Sequence, residues 1–409
     1  MRVRPFLHKL LSKTIHNKRI NVLSEAVESA LMVKHISLTG LGRGLNNGCQ
    51  ERSNIRKMDR LLGNAKLSNE SRLIYQSISR YLLKAIPRPV IIVDAVKLPS
   101  SDRYALRACC TMGGRSHTLY ELIYPKSQEG NIETHRQFLQ DLKFVLPENC
   151  KPIIVTDAGF HNPWFKEILQ LGWDFIGRIR GLKIYKPLNS ALYSPCAELW
   201  EKATHKATCL GKMVLNRNNP LECYFYTYKK YLKGRITKAT KDNAILHYKR
   251  AVREPWLLAS SLDNNYQAIQ IIQMYAKRMK IEESFRDMKS SRYGLGLDKI
   301  QIKKFSRYTV ILLIVMLTNL IACLIGHAVE LKRLHLTFQA NSTRCRRVLS
   351  YFYLGCQAFK KQIPIRVNDM NGAYQATRCD FLIPKDYDKF RLYVDPSVFK
   401  VRNYYLLRK

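Results

Sequence analysis

Three carboxylates and one row of cations carry the chemistry that this sequence declares. The stretch from Tyr275 to Lys289, YAKRMKIEESFRDMK, contains neither Pro nor Gly and is rich in Lys, Glu, Met and Ile, most of them good helix formers. At about 100° per residue, Tyr275, Arg278, Glu282, Arg286 and Lys289 fall near 0°, −60°, −20°, +20° and −40°. One carboxylate and four groups able to hold phosphate thus share a narrow face. An apolar stripe of Met274, Ile281, Phe285 and Met288 borders that face. Glu283 falls at about +80° and points elsewhere. The same arrangement also suits a solvated surface face laced by i,i+4 pairs.

Two further carboxylates favour the chemical reading. Asp94 follows the apolar run IIV, and Asp157 follows IIVT. A carboxylate beside a buried strand costs several kcal/mol unless it is paired or binds a metal. Asp157, with Ala158 and Gly159 after it, would also serve as a turn cap. With Glu282, the two aspartates make a three-carboxylate set suited to a hard cation such as Mg²⁺. Trp256 opens another apolar strand, where a Trp is more often core than a stacking surface. The histidines lack metal-ligand spacing.

These side chains need a scaffold, and the chain alternates accordingly. Residues 1–85 show helical periodicity with 16 Lys and Arg against 5 Asp and Glu, a composition suited to a DNA-binding helical domain. Pro87 and Pro89 mark a boundary. Strands are expected at Pro89–Pro99, Tyr104–Met112 and Ser116–Tyr124, the last two joined by a Gly113-Gly114 turn. A helix at Thr134–Val145, a strand at Lys151–Thr156, a helix at Asn162–Leu171 and a strand at Trp173–Arg180 follow. A hairpin meander followed by βα units gives a mixed sheet with helices on its faces, an α/β class. Residues 183–255 break the pattern with basic, aromatic and β-branched pieces such as CYFYTYKKYL and AILHYKRAV, read as an inserted β-rich subdomain. Trp256–Leu262 returns to an apolar strand, and the helix carrying Glu282 is expected to begin near Asn265. The apolar segment Val310–Gly326 is short for a membrane span and contains Thr318 and Asn319, so a buried helix is expected. The C-terminal part has a helical pattern over Asn341–Lys361 and then becomes irregular.

Composition limits the partners. The 409 residues carry a net charge of +38, spread along the whole chain. A net charge of about 2–8 suffices to keep a small domain soluble, so an excess this large points to a polyanion, nucleic acid first. The 11 cysteines are odd in number and form no CxxC cluster, which suits a reducing compartment without a disulfide framework or zinc site. The N-terminus is basic but lacks the apolar run of a signal peptide.

The sequence as a whole resembles the insertion-sequence-4 family of DDE transposases, the cut-and-paste group, and is most similar to its Tn-ten-like branch. The likeness runs through RKMDRLLGN, VDAVK, GRSHTLYE, VTDAGFHNPWF, LGWDFIGRIRG, EPWLLASSL and YAKRMKIEESFRDMKSSRYGLGL. The family signature Tyr-x2-Arg-x3-Glu-x6-Lys is met by Tyr275, Arg278, Glu282 and Lys289. The resemblance implies an RNase H-like mixed-sheet core in two parts, 86–182 and 256–335, interrupted by the insertion at 183–255. An N-terminal helical domain (1–85) precedes it, and a mainly helical C-terminal region (336–409), whose expected use is dimerisation, follows. Asp94, Asp157 and Glu282 would be the catalytic metal ligands, holding two Mg²⁺ ions that Mn²⁺ can replace. Tyr275, Arg278 and Lys289 would grip phosphates near the scissile bond. Arg286 stands where some relatives carry a second Lys, and Trp256 where a relative's indole stacks on a base flipped from a DNA hairpin. The implied partners are the element's terminal inverted repeats and target DNA, bound by a synaptic homodimer associated with the bacterial nucleoid in the cytoplasm, with no membrane involved. An RNase H-like nuclease or resolvase that cuts without joining is the alternative.

Overall fold

The structure, a computed structural model, describes residues 3–99, 102–231, 254–263, 265–292, 294–302, 304–340, 342–343 and 346–381. The segment AILHYKRAV and the irregular end from 382 to 409 lie outside the described residues. The chain begins with six helices: α1 (Val3–Leu11), α2 (Asn17–Val33), α3 (Leu38–Arg43), α4 (Glu51–Leu62), α5 (Ala65–Asn69) and α6 (Ser71–Leu82). Their apolar stripes, Leu7, Leu23, Val27, Met58, Ile74 and Ile78 among them, enter the same apolar cluster as the sheet that follows.

Among the described residues that sheet has ten strands, numbered in chain order and lying side by side as β3-β2-β1-β4-β5-β10-β9-β8-β6-β7. The first five are β1 (Val90–Lys97), β2 (Arg103–Met112), β3 (Arg115–Pro125), β4 (Ile153–Thr156) and β5 (Asp174–Arg178). β1, β4 and β5 run parallel, while β2 and β3 form an antiparallel hairpin beside β1. Gly113 and Gly114 make the hairpin turn at φ +59° and +78°, the backbone a two-residue turn of this kind demands. Helices α7 (Ile132–Val145) and α8 (Asn162–Gln170) supply the crossovers. This mixed arrangement is consistent with the expected RNase H-like core. Past β5 the sheet continues through β10 (Trp256–Ser260), β9 (Leu221–Tyr228), β8 (Thr208–Leu215), β6 (Ile184–Pro187) and the two-residue β7 (Ser194–Pro195), each antiparallel to its neighbour. The strands of the inserted stretch thus extend the sheet.

The two faces sort by the strand period of two. Ile91, Val93, Ile154 and Phe175 pack on α7 and α8 through Phe138, Trp164 and Phe165. Val90, Ile92, Ile153, Val155, Ile176 and Leu258 turn to the other face and meet Ile271, Ile272 and Met274 of α9 (Ala268–Ala276). α10 (Met279–Lys289) continues from α9 over β2 and β3.

α11 (Phe305–Leu331) is apolar all round because it is buried all round, and 89% of its most apolar window lies inside the fold. It packs against α12 (Tyr351–Lys360), with α13 (Val367–Thr377) beside them. Among the described residues of the expected helix over Asn341–Lys361, α12 is the helical part. At the α11–α12 crossing the two backbones touch: a Cβ on Gly355 would lie 1.8 Å from the Ala322 carbonyl oxygen, and one on Gly326 2.0 Å from that of Tyr351. No side chain can yield to relieve this contact. Gly355→Ala is therefore expected to cost ~3 kcal/mol, the upper end of overpacking penalties, measured as a lowered urea midpoint. An unchanged midpoint would mean that the crossing opens freely.

Candidate active site

Strand register brings the two aspartates together. Val90, Ile91 and Ile92 of β1 pair with Ile153, Ile154 and Val155 of β4 in parallel. Continuing that register by one pleat sets Asp94 beside Asp157, on strands about 4.8 Å apart and on the face shared by Ile92 and Val155. That is the face covered by α9 and α10. The Asp94 Oδ1 atom accepts the Ala95 N–H at 2.8 Å, and Asp157 Oδ1 accepts the Gly159 N–H at 2.9 Å, so the turn-capping role of Asp157 is present as well.

The expected single helix from Asn265 is two helices. Between α9 and α10 the backbone bonds tighten to i→i−3, with the N–H groups of Lys277, Arg278, Lys280 and Ile281 reaching Met274, Tyr275, Lys277 and Arg278. This 3₁₀ turn interrupts the helix while Lys277 and Arg278 keep right-handed helical dihedrals. Tertiary partners hold the side chains around it. Tyr275 is held edge-on against Trp256, ring centroids 4.8 Å apart; Lys277 Nζ donates to the Asp380 carbonyl at 2.9 Å; Arg278 is drawn to acidic side chains.

Arg278 connects the carboxylates. Its Nη2 lies 2.8 Å from Glu282 Oε1 and its Nη1 3.6 Å from Asp94 Oδ2, with its side chain only 13% exposed. The Asp94 carboxyl is pushed up to about 6, by burial first and then by the charge of Asp157; Arg278 opposes this and Glu282 adds to it. Asp157 and Glu282 therefore both act on Asp94 electrostatically. Among the described residues no three ligating side chains are gathered closely enough to enclose an ion as they stand. The donor set nonetheless fits a hard divalent cation. It offers three carboxylates, a mutual repulsion that a cation would relieve, and a guanidinium already standing between two of them.

The remaining expected residues fall in different settings. Tyr275 is 2% exposed, and its buried hydroxyl lies near enough to Arg278 and Arg178 for both to act on it. Arg286 is exposed and Lys289 half-buried, about 6 and 10.5 Å along α10 from Glu282 on the same side. Trp256 is 7% exposed, in the apolar cluster under α9, with Lys230 Nζ 3.8 Å from its ring centroid.

Glu283 turns away from this group. Arg115 of β3 binds it at 2.7 Å and Asp287 at 2.8 Å, and Lys280 lies 3.3 Å from it. Ser116 and Ser284 exchange hydrogen bonds with the backbone of the opposite element. α10 is thus clamped to the start of β3.

A second anchor lies deeper. Arg107 of β2 and Glu121 of β3 form an ion pair with side chains 3% and 1% exposed. The Tyr75 hydroxyl of α6 donates to Glu121 at 3.1 Å; the Arg107 guanidinium reaches Met288 Sδ at 3.0 Å and lies 4.8 Å from the Phe285 ring. Arg107 is also the β-ladder partner of Asp94. Sequence reasoning missed this pair for a definite reason. A regular hairpin around Gly113-Gly114 would set Arg107 opposite Tyr120 and send Glu121 to the other face. A bulge at Leu119 shifts the register, so that Arg107 faces Glu121. Arg178 of β5, bound with Arg180 by Glu254, was missed too; its only signal was a cation at the end of an apolar strand.

Residues 86–320 match the transposase DDE domain family, more than half of the chain. The protein belongs to that family. No curated protein matches the chain. The matched stretch of this DDE transposase-family protein contains both aspartates, Glu282 and the two anchors of α10, and it ends inside α11.

Removing one partner of a buried pair leaves the other charge uncompensated. Arg107→Met should therefore cost about 3–5 kcal/mol in urea unfolding. The triple change Arg107→Met, Glu121→Leu, Tyr75→Phe removes every polar member and should recover most of that loss. A triple variant as unstable as the single one would contradict this account of the network.

Proposed function

We propose that the protein is a DNA transposase of the insertion-sequence-4 type, Tn-ten-like branch, that moves an element by cut-and-paste. The observation carrying this reading is the meeting of Asp94 and Asp157 on neighbouring parallel strands with Glu282 of α10, linked by Arg278. Asp94, Asp157 and Glu282 would hold two Mg²⁺ ions, or Mn²⁺ in their place; when bound, the ions supply charge stabilisation to the entering and leaving oxygens of an in-line displacement at phosphorus. Arg278, Lys289, Arg286 and the Tyr275 hydroxyl would hold the phosphate oxygens, where fixed donors oppose the charge that develops in the transition state.

In the proposed sequence, water attacks the phosphodiester at the element end and releases a 3′-OH. That 3′ oxygen attacks the opposite strand and closes a hairpin, water reopens it, and the same 3′ oxygen joins target DNA. Each step forms one P–O bond and breaks one. Trp256 would stack on an extruded base after Lys230 leaves its ring for a phosphate. Residues 1–85 would recognise the terminal inverted repeats, with a homodimer pairing two ends, in the bacterial cytoplasm at the nucleoid. The net charge of +38 supports a DNA partner.

Nicking of a labelled element end tests the assignment. Glu282→Gln should lose more than the roughly 10–100-fold typical of an outer partner, whereas Glu283→Gln, whose carboxylate faces Arg115, should stay within that range. Robust nicking by Glu282→Gln would falsify the site. Transfer of a pre-cut end into target DNA separates transposase from resolvase: cleavage without joining would favour the second.

A further inference from the structure

The Arg278 guanidinium occupies the ground that a cation would contest. It touches Glu282 and reaches Asp94, while its Nε is buried without a hydrogen-bond partner. An arginine cannot leave such a place by losing a proton, because it stays charged at any physiological pH. Oxygen atoms paired with a guanidinium are also poorer ligands for a second cation. So for Asp94 and Glu282 to serve one ion together, Arg278 has to move.

The backbone gives it a place to move from. Arg278 stands at the start of α10, within the 3₁₀ turn, where the bonds of Lys277, Arg278, Lys280 and Ile281 are all i→i−3. Arg278 precedes the part of α10 that Arg115 clamps to β3, so its side chain can swing without moving the helix. The same turn separates Tyr275 from Glu282. It gives Arg278 something to move to as well. The buried Tyr275 hydroxyl, itself a donor, lies beside Arg278 and Arg178, and Arg178 is held in place by Glu254. A DNA phosphate placed there takes a guanidinium in the bidentate manner arginine favours.

We propose that Arg278 is an exchangeable counter-ion, paired with Asp94 and Glu282 until a divalent cation takes those carboxylates, and then turned to the DNA phosphate. The exchange couples the two ligands: each one removes a cost of binding the other, so cation and DNA reinforce each other reciprocally. This rests on the three-carboxylate reading of the site.

The test is Mn²⁺ affinity of the full chain, read by electron paramagnetic resonance, with and without a duplex carrying the element end. Arg278→Gln should bind Mn²⁺ tighter than the wild type in the absence of DNA, by a factor within the about 5–150-fold range of such couplings. In the wild type DNA should tighten Mn²⁺ binding, and in Arg278→Gln this enhancement should shrink. Equal or weaker Mn²⁺ binding by Arg278→Gln without DNA would overturn the exchange. Should Arg278→Gln fail to fold, Arg278→Lys decides by the same criterion, since it keeps the charge but is too compact to span both carboxylates. Asp157→Asn separates the two readings. If it leaves Mn²⁺ affinity unchanged, the carboxylate site itself is wrong and the exchange falls with it; if it weakens Mn²⁺ while Arg278→Gln does not strengthen it, only the exchange is wrong.

Discussion

The burial of the Asp94 carboxylate, with Asp157 on the neighbouring strand, is the constraint around which this part of the structure is arranged. Two parallel strands deliver two carboxylates to one level, and a helix adds the third. Left uncompensated, a carboxylate as buried as Asp94 costs several kcal/mol. Arg278 compensates it from within the same helix. Its position works only because α10 is held at a fixed height above the sheet, which gives the surrounding polar contacts their purpose.

That height is set twice. Arg115 and the paired serines fix the outer side of α10 to β3, while the Arg107–Glu121 pair lies beneath Phe285 and Met288. The second contact also reaches α6 through Tyr75, so the N-terminal helices and the site share one support. A buried ion pair adds little net stability compared with apolar packing, but it tolerates few alternative placements. Here it ties β1, through the Asp94–Arg107 ladder position, to the helix that carries Glu282.

Much of this was legible in the sequence, and the limits have physical causes. Apolar runs ending in Asp94 and Asp157 gave strands β1 and β4, and the Gly113-Gly114 pair gave the hairpin turn, because these signals are local. The 100° rule separated Glu282 from Glu283 correctly in direction, since α10 is regular from Met279 onward. The expected single helix is interrupted at Lys277 and Arg278, a turn no propensity encodes, yet Arg278 still reaches Glu282 four residues on as the rule requires. The bulge at Leu119 was likewise invisible, and with it the Arg107–Glu121 pair. Trp256 illustrates the remaining difficulty. The strand pattern correctly gave its burial, but the Lys230 ammonium over its ring comes from just past the end of β9, a contact that only the folded sheet creates.

The most direct test is the position of the cation. Crystals of the full chain grown with Mn²⁺ and a duplex of the element end would locate manganese by its anomalous signal. The expected result is manganese about 2.1 Å from oxygens of Asp94, Asp157 and Glu282 together, with Arg278 turned from the carboxylates toward a phosphate. Manganese bound elsewhere, or held by the aspartates while Glu282 remains on Arg278, would contradict the shared site.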